Sequence, residues 1–351
     1  PEPTPPPDDL PVGPVTMKDL ARALGLSVSA VSLSLSGRTG VAEATRRLVL
    51  AKAEEMGYRK NPLVSALMET RRKRVSPDKG TVLAFLSFNA NDEELKRSPQ
   101  PDYFAGCAAE AARLGIRLER FWVMDPSMPP RRLSAILKAR GIRGAILGAC
   151  PIAGYKPDLV WEDFCWTSMT VSIDSPPLDL VNSDHFGNMH TALMHARQLG
   201  YRRVALAMNR TPDDRLRRPW LAAYLAHSGD VNPDGPLEPY REDQWTLSSL
   251  REWYARTRPD LIIGLARGNR MQLLREAGID VPRKVGFLSV SVPQHDDTQT
   301  GIRENWSALE IEAVRNLSAQ IMRNQLGPPN PPRFIRLPGT WNTGTTALPR
   351  V

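Results

Sequence analysis

From Thr81 onward, short apolar runs that read as buried strands alternate with segments of helical period, and few architectures accommodate that order. Strand-like runs at 82–88, 116–121 and 144–147 are separated by helical patterns at 104–114 and 131–140. A second series has strand-like runs at 169–173, 204–208, 261–265 and 285–290, with helical patterns at 189–199 and 220–227. Near-continuous apolar strands connected through helices build parallel sheets covered on both faces. Two such series predict two lobes. A length of 351 residues also exceeds one ordinary core, so two or three folded units are expected.

Charge is unevenly spread along the chain. The net +8 divides into −3 over residues 1–14, +7 over 15–74 and +4 over the remaining 277 residues. A small basic segment attached to a nearly balanced body suggests a nucleic-acid-binding module, although a merely solvated basic surface gives the same count. Residues 1–14 hold seven prolines and three acids without a basic or apolar block, a composition unlike a secretory signal or transit peptide. A disordered tail is expected there. No stretch approaches the ~20 consecutive apolar residues that span a bilayer. Cys107, Cys150 and Cys165 form neither a CxxC pair nor an even disulfide set, which predicts buried apolar cysteines and a cytoplasmic protein.

The basic segment carries helix punctuation. Thr16 and Asp19 have the spacing of a reciprocal N-terminal cap, Leu20, Ala21 and Leu24 recur on one face, and Gly25 stops the pattern. Ser27 can cap a second helix, on which Val31 and Leu35 share one face while Ser29, Ser32 and Ser36 form a polar stripe. A third helix is predicted over 42–56, with Leu48, Val49, Ala53 and Met56 inward. Two short, tightly joined helices braced by a third form a helix-turn-helix, whose second helix fits the major groove. Val28, Ser29, Ser32 and Leu33 face outward in that arrangement.

Through residues 15–21 and 25–32, Thr45-Arg46 and Gly57-Tyr58, the sequence resembles the LacI/GalR family of bacterial transcription regulators. The resemblance implies that Val28 and Ser29 read bases, and that Thr16, Ser27, Ser32, Thr45 and Tyr58 grip phosphates. Leu33 stands where the family commonly has a guanine-reading arginine and Ser36 where it usually has asparagine, so an operator unlike the family's commonest one is expected. Ala42 replaces the usual capping hydroxyl of the third helix, at a cost of ~1 kcal/mol.

Residues 61–68 open on Asn61-Pro62 and continue apolar into the basic run Arg71 to Arg74. So short a helix is marginal alone. The resemblance implies a hinge helix and linker over 61–79, the helix folding on DNA beside its twin from a second subunit, with Leu67 wedged between minor-groove base steps and Asn61 and Val64 beside it. Lys60 takes the place of the family's usual proline. A plain linker is the alternative.

The resemblance extends over the body through Tyr103-Phe104-Ala105-Gly106, residues 182–184, 198–204 and 276–282. It implies a two-lobed periplasmic-binding-protein-like domain, with one lobe from 80–180 plus 299–330 and the other from 181–298 plus 331–351. Chain crossings are then expected near 178–184, 292–299 and 330–335, with a small-molecule effector between the lobes. Arg217 matches the family's effector-gripping arginine, and Tyr103 follows the first strand. Ser291 replaces the family's aspartate, and Asn269 is the nearest counterpart of its asparagine. These departures weigh against a simple sugar and leave a sugar or related metabolite as the expected class. Trp161, Trp220, Trp245 and Trp306 are expected in packing roles.

Features of catalysis are missing from the sequence. His185, His190 and His195 lie five apart, so on a helix they cannot converge on one metal. Neither a Walker motif, a GxSxG elbow nor an HExxH occurs, and no cofactor or enzymatic activity is expected. The expected function is a homodimeric DNA-binding regulator, expected to repress, that binds a near-palindromic operator under effector control. A solute-binding protein or an enzyme on the same scaffold is the alternative.

Overall fold

The computed structural model describes residues 17–35, 41–56, 81–98, 100–173 and 175–350. Expectations for the tail, for Ser36 and for the hinge helix and linker over 61–79 lie outside these residues. The chain forms two compact units, Pro1–Ser76 and Pro77–Val351.

In the first unit, α1 (Met17–Leu24), α2 (Val28–Leu35) and α3 (Glu43–Glu55) enclose a small core of Leu20, Ala21, Val31, Val49 and Ala53. Ser27 opens α2 as predicted, accepting the Ala30 N–H at 3.1 Å. Ala42 occupies the cap of α3 without a side-chain bond. One inward assignment is corrected: Leu48 is 55% exposed. At 3.6 residues per turn, the buried pair Val49 and Ala53 sets the inner face, and Leu48 falls about 100° away from Val49.

The second unit contains two sheets. The strands are β1 (Val82–Ser87), β2 (Arg117–Trp122), β3 (Gly144–Leu147), β4 (Cys165–Ser168), β5 (Asp179–Ser183), β6 (Val204–Ala207), β7 (Leu261–Gly264), β8 (Gly286–Ser289), β9 (Gly301–Arg303), β10 (Phe334–Leu337) and β11 (Thr340–Asn342). The first sheet runs β10-β5-β4-β3-β1-β2 and is parallel throughout. The second runs β11-β9-β8-β7-β6, parallel except for the antiparallel edge strand β11.

Pleating sends alternate side chains to opposite faces. Leu83 and Phe85 pack with Leu309, Ala313 and Leu317 of the helix Trp306–Met322, whereas Ala84 and Leu86 pack with Leu133 and Leu137 of the helix Pro130–Ala139. The second sheet is covered likewise, Leu206 and Ile263 meeting Leu193 and Tyr224 while Ala205 and Ile262 meet Trp253 and Leu274. Gly301 has φ +147°, and a Cβ there would stand 2.0 Å from the Ser289 carbonyl, so only glycine lets β9 close on β8.

One strand assignment is corrected. Residues 169–173 form no strand; the strand is Cys165–Ser168, just before them, and the Met169 N–H makes a last bond to the Leu147 carbonyl of β3. The hydroxyls of Ser168, Thr170 and Ser172 bond nearby backbone groups, competing with a ladder as such residues do. The chain crosses between sheets at three places: after β5 near Asp184, between β9 and the helix Trp306–Met322 at Glu304, and between β10 and β11 near Gly339. The second and third crossings fall a few residues beyond the expected 292–299 and 330–335.

Candidate functional sites: the helical head and the interlobe cleft

On the head, Ser27, Val28 and Ser29 are exposed at the start of α2, with Val28 42% accessible. Ser32, Leu33 and Thr45 are half-buried. Ser27 uses an oxygen lone pair for its cap, which leaves its O–H able to donate to a phosphate. Free N–H groups and the positive dipole end at a helix start also favour an anion. Thr16, Tyr58, Asn61, Val64 and Leu67 lie outside the described residues.

In the body, a cavity of about 230 Å³ opens at the carboxyl ends of both sheets. From the first sheet come Tyr103, Ala149, Thr170 and Asn182, following or ending β1, β3, β4 and β5; from the second come Arg215, Trp220, Arg267 and Arg270, beyond β6 and β7. Helices close the sheet faces, so a ligand can reach the strands only at these ends. The crossings supply His185 and Glu304.

Glu304 organises one side of the cleft. Its Oε1 lies 3.2 Å from His185 Nδ1, and its Oε2 accepts the Trp306 indole N–H at 3.1 Å. Burial works against its charge, yet the His185 imidazole and the Trp306 donor hold its carboxyl below the ordinary range. His185 packs on Trp220 with ring centroids 4.8 Å apart, and Trp306 meets Tyr103 edge-on at 5.9 Å. Burial, reinforced by the Glu304 charge, raises the Tyr103 hydroxyl well above its usual pKa, so at neutral pH it is a donor.

The opposite side is cationic. Arg215 donates to the Cys150 carbonyl at 3.2 Å and the Ser172 hydroxyl at 3.3 Å. Arg267 donates to Ser291 Oγ at 3.1 Å, and Arg270 grips Asn209 Oδ1 at 2.9 and 2.6 Å. The loop carrying Arg215 and Trp220 is pinned by buried Asp213, which pairs with Arg241 at 3.1 Å and accepts the Trp220 N–H at 3.2 Å.

Of the effector residues expected from sequence, Tyr103 lines the cavity. Arg217 does not: it is exposed, with φ values of +70° at Arg217 and +59° at Arg218, and Arg215, at the end of the preceding helix Arg210–Arg215, lines the cavity instead. Asn269 is exposed at the start of the helix Arg270–Glu276, with its neighbour Arg270 on the wall. Ser291 stands behind the wall, holding Arg267. Trp220 packs in the core as expected and also lines the cavity, while Trp161 packs on Trp166, Trp245 on Tyr240 and Trp306 on Tyr103. Missed altogether were Arg215, Arg267, Arg270, His185 and Glu304. A signal existed for Arg267 and Arg270, which follow directly on an apolar strand run, where open sheets bind ligands. Glu304 had none.

The three evenly spaced histidines reach different places: His185 meets Glu304, His190 meets His227 with the rings tilted, and His195 lies flat on Trp341 at 3.8 Å. The three cysteines are free and buried. No described helix is long and apolar enough to cross a membrane.

Residues 16–61 match the family model described as bacterial regulatory proteins, lacI family. The HTH-type transcriptional regulator AglR of Rhizobium meliloti (strain 1021) is 26% identical over 345 residues, covering 90% of this chain and 88% of that protein. A crystal structure of the lac repressor dimer bound to operator and the anti-inducer ONPF aligns with a TM-score of 0.54 at 17% identity, over 96% of this chain and 100% of that one. The transcriptional regulator CelR in complex with cellobiose aligns at 0.50, also 17% identical, over 95% and 99% of the respective chains. At that identity the two structures speak for the fold alone: a helical head and an α/β body of two sheets. The match over the head, the similarity along nearly the whole length and the shared architecture agree: residues 16–61 form a head of the kind described for the lacI family, and the whole chain is similar to regulators that carry such a head on an α/β body.

Proposed function

We propose that this protein is a sequence-specific transcriptional regulator, working as a cytoplasmic homodimer, whose grip on operator DNA is set by a small molecule held in the interlobe cleft. The observation that carries this reading is the presence in one chain of a reading helix with Val28 and Ser29 exposed at its start and of a cleft lined by converging polar groups. Val28 and Ser29 contact base edges. Thr16, Ser27, Ser32, Thr45 and Tyr58 hold phosphates, Leu33 meets a thymine methyl, and Asn61, Val64 and Leu67 act in the minor groove. Tyr103 contacts the effector directly, Ser291 acts through Arg267, and Arg217 and Asn269 act from the cleft margin.

The effector is a sugar or related metabolite. The CelR complex holds cellobiose, and the Trp220 ring with the Asn182, His185 and Glu304 groups supplies the mixture of apolar face and hydrogen bonds that a hydroxylated ring needs. Closure of the lobes on the ligand shifts the population of DNA-competent dimers. No step of this account makes or breaks a covalent bond.

Selection of bound fragments from random duplex DNA by the full-length protein tests the proposal. The expected product is a near-palindrome with half-sites about one helical turn apart, differing from the family's commonest half-site. Failure to enrich any sequence would contradict it.

A further inference from the structure

We infer that the ligand of this cleft is anionic: a hydroxylated carboxylic acid or phosphate ester of monosaccharide size, its negative group clasped by Arg215, Arg267 and Arg270. The inference rests on the proposed reading of the cleft as the effector site and narrows its substrate class.

Three guanidinium groups share one side of the cavity, against a single lining carboxylate, Glu304, which faces His185 and Trp306 and of the three arginines feels the charge of Arg267, so one carboxylate stands against three cations. The hydrogen-bond partners of two of those arginines are neutral. Arg215 holds a carbonyl and a hydroxyl; Arg270 holds the Asn209 amide oxygen and the Arg267 carbonyl at 2.5 Å. Burial disfavours both charges, and the nearby Arg267 cation adds to this at each, opposed at Arg215 by Cys150 and Tyr103. A partly buried cluster of like charges is costly to keep unless a counter-charge joins it. A neutral sugar leaves that cost in place, whereas an anion removes it.

Geometry favours the same class. Planar guanidinium forks match the paired oxygens of carboxylate and phosphate, and Arg215 and Arg270 are each oriented beforehand by their neutral partners. The cavity of about 230 Å³ is below the ~300–1,000 Å³ typical of drug-sized ligands, which suits one sugar-sized unit. With the anion at the arginines, the rest of the molecule meets Trp220 and the hydrogen-bonding groups of Asn182 and Glu304.

Thermal-shift and calorimetric titration of the full-length protein test the assignment, with gluconate, galacturonate, glucose 6-phosphate and ribose 5-phosphate set against neutral glucose, galactose and ribose. The expected result is dose-dependent stabilisation by a carboxylate or an ester and none by its neutral parent; which anion responds identifies a sugar acid or a sugar phosphate as the source. Arg215→Gln and Arg270→Gln should each weaken that binding at least about tenfold with little change in the ligand-free Tm, and Arg215→Lys should restore only part of it. Stabilisation by neutral sugars equal to that by anions, or no response to any anion, would overturn the inference. The regulator reading survives that failure if the same preparation still enriches a DNA sequence, and falls separately if it does not.

Discussion

Glu310 illustrates how a single side chain sets a pH response. It packs over Gly106, where a Cβ would stand 1.7 Å from its Oε2, and burial, helped by the Asp102 charge, pushes its carboxyl up to about 7 from an ordinary 4.5. Between those values the folded state binds more protons than the unfolded one, so this group's stabilising contribution is lost as pH rises through that window. Glu310→Gln, which cannot titrate, should flatten the fall in unfolding free energy between pH 5 and pH 8; an unchanged slope would count against the buried acid. On the head, Leu33 cannot donate a hydrogen bond. Leu33→Arg should add a guanine to the selected half-site, by supplying the fork that reads guanine O6 and N7. An unaltered selected sequence would place residue 33 away from the bases.

At the scale of elements, legibility followed local punctuation. The head helices were readable because Ser27 caps one, Gly25 ends another, and Val31, Val49 and Ala53 repeat at helical spacing. The α3 start is the weak point, and Ala42→Ser should stabilise the head by about 1 kcal/mol, seen as slower amide exchange in α3. The strands β5, β9, β10 and β11 escaped notice, being three to five residues long and, at the edge, only partly buried. What fixes β10 against β5 is long-range. Buried Asp179 accepts the Arg333 N–H at 2.8 Å and its Nε at 2.9 Å, and takes a further bond from Gln320 at 3.0 Å, across more than 130 positions of sequence. Arg333→Met should cost about 3 kcal/mol in denaturant unfolding by stranding that carboxylate; a loss below 1 kcal/mol would show that water replaces the arginine.

For the molecule as a whole, the two-lobed architecture was legible from alternation, and the cleft's existence followed from it, but most of its chemistry did not. Tyr103 was readable because it follows the first strand. Arg215 lines the cleft because the helix Arg210–Arg215 ends there, whereas Arg217 lies in the left-handed turn beyond it, and Glu304 reaches the cleft only because the chain crosses between sheets there. Such positions depend on tertiary geometry, which periodicity does not encode. The account's central claim is that occupancy of this cleft and the head's hold on DNA are coupled. Its most direct test is the affinity of full-length protein for its selected duplex, measured by fluorescence anisotropy over a salt series, with and without a saturating cleft ligand. Log affinity should fall linearly with log salt, and ligand should change it by about 5- to 150-fold. An affinity identical with the cleft filled or empty, at every salt concentration, would contradict the claim.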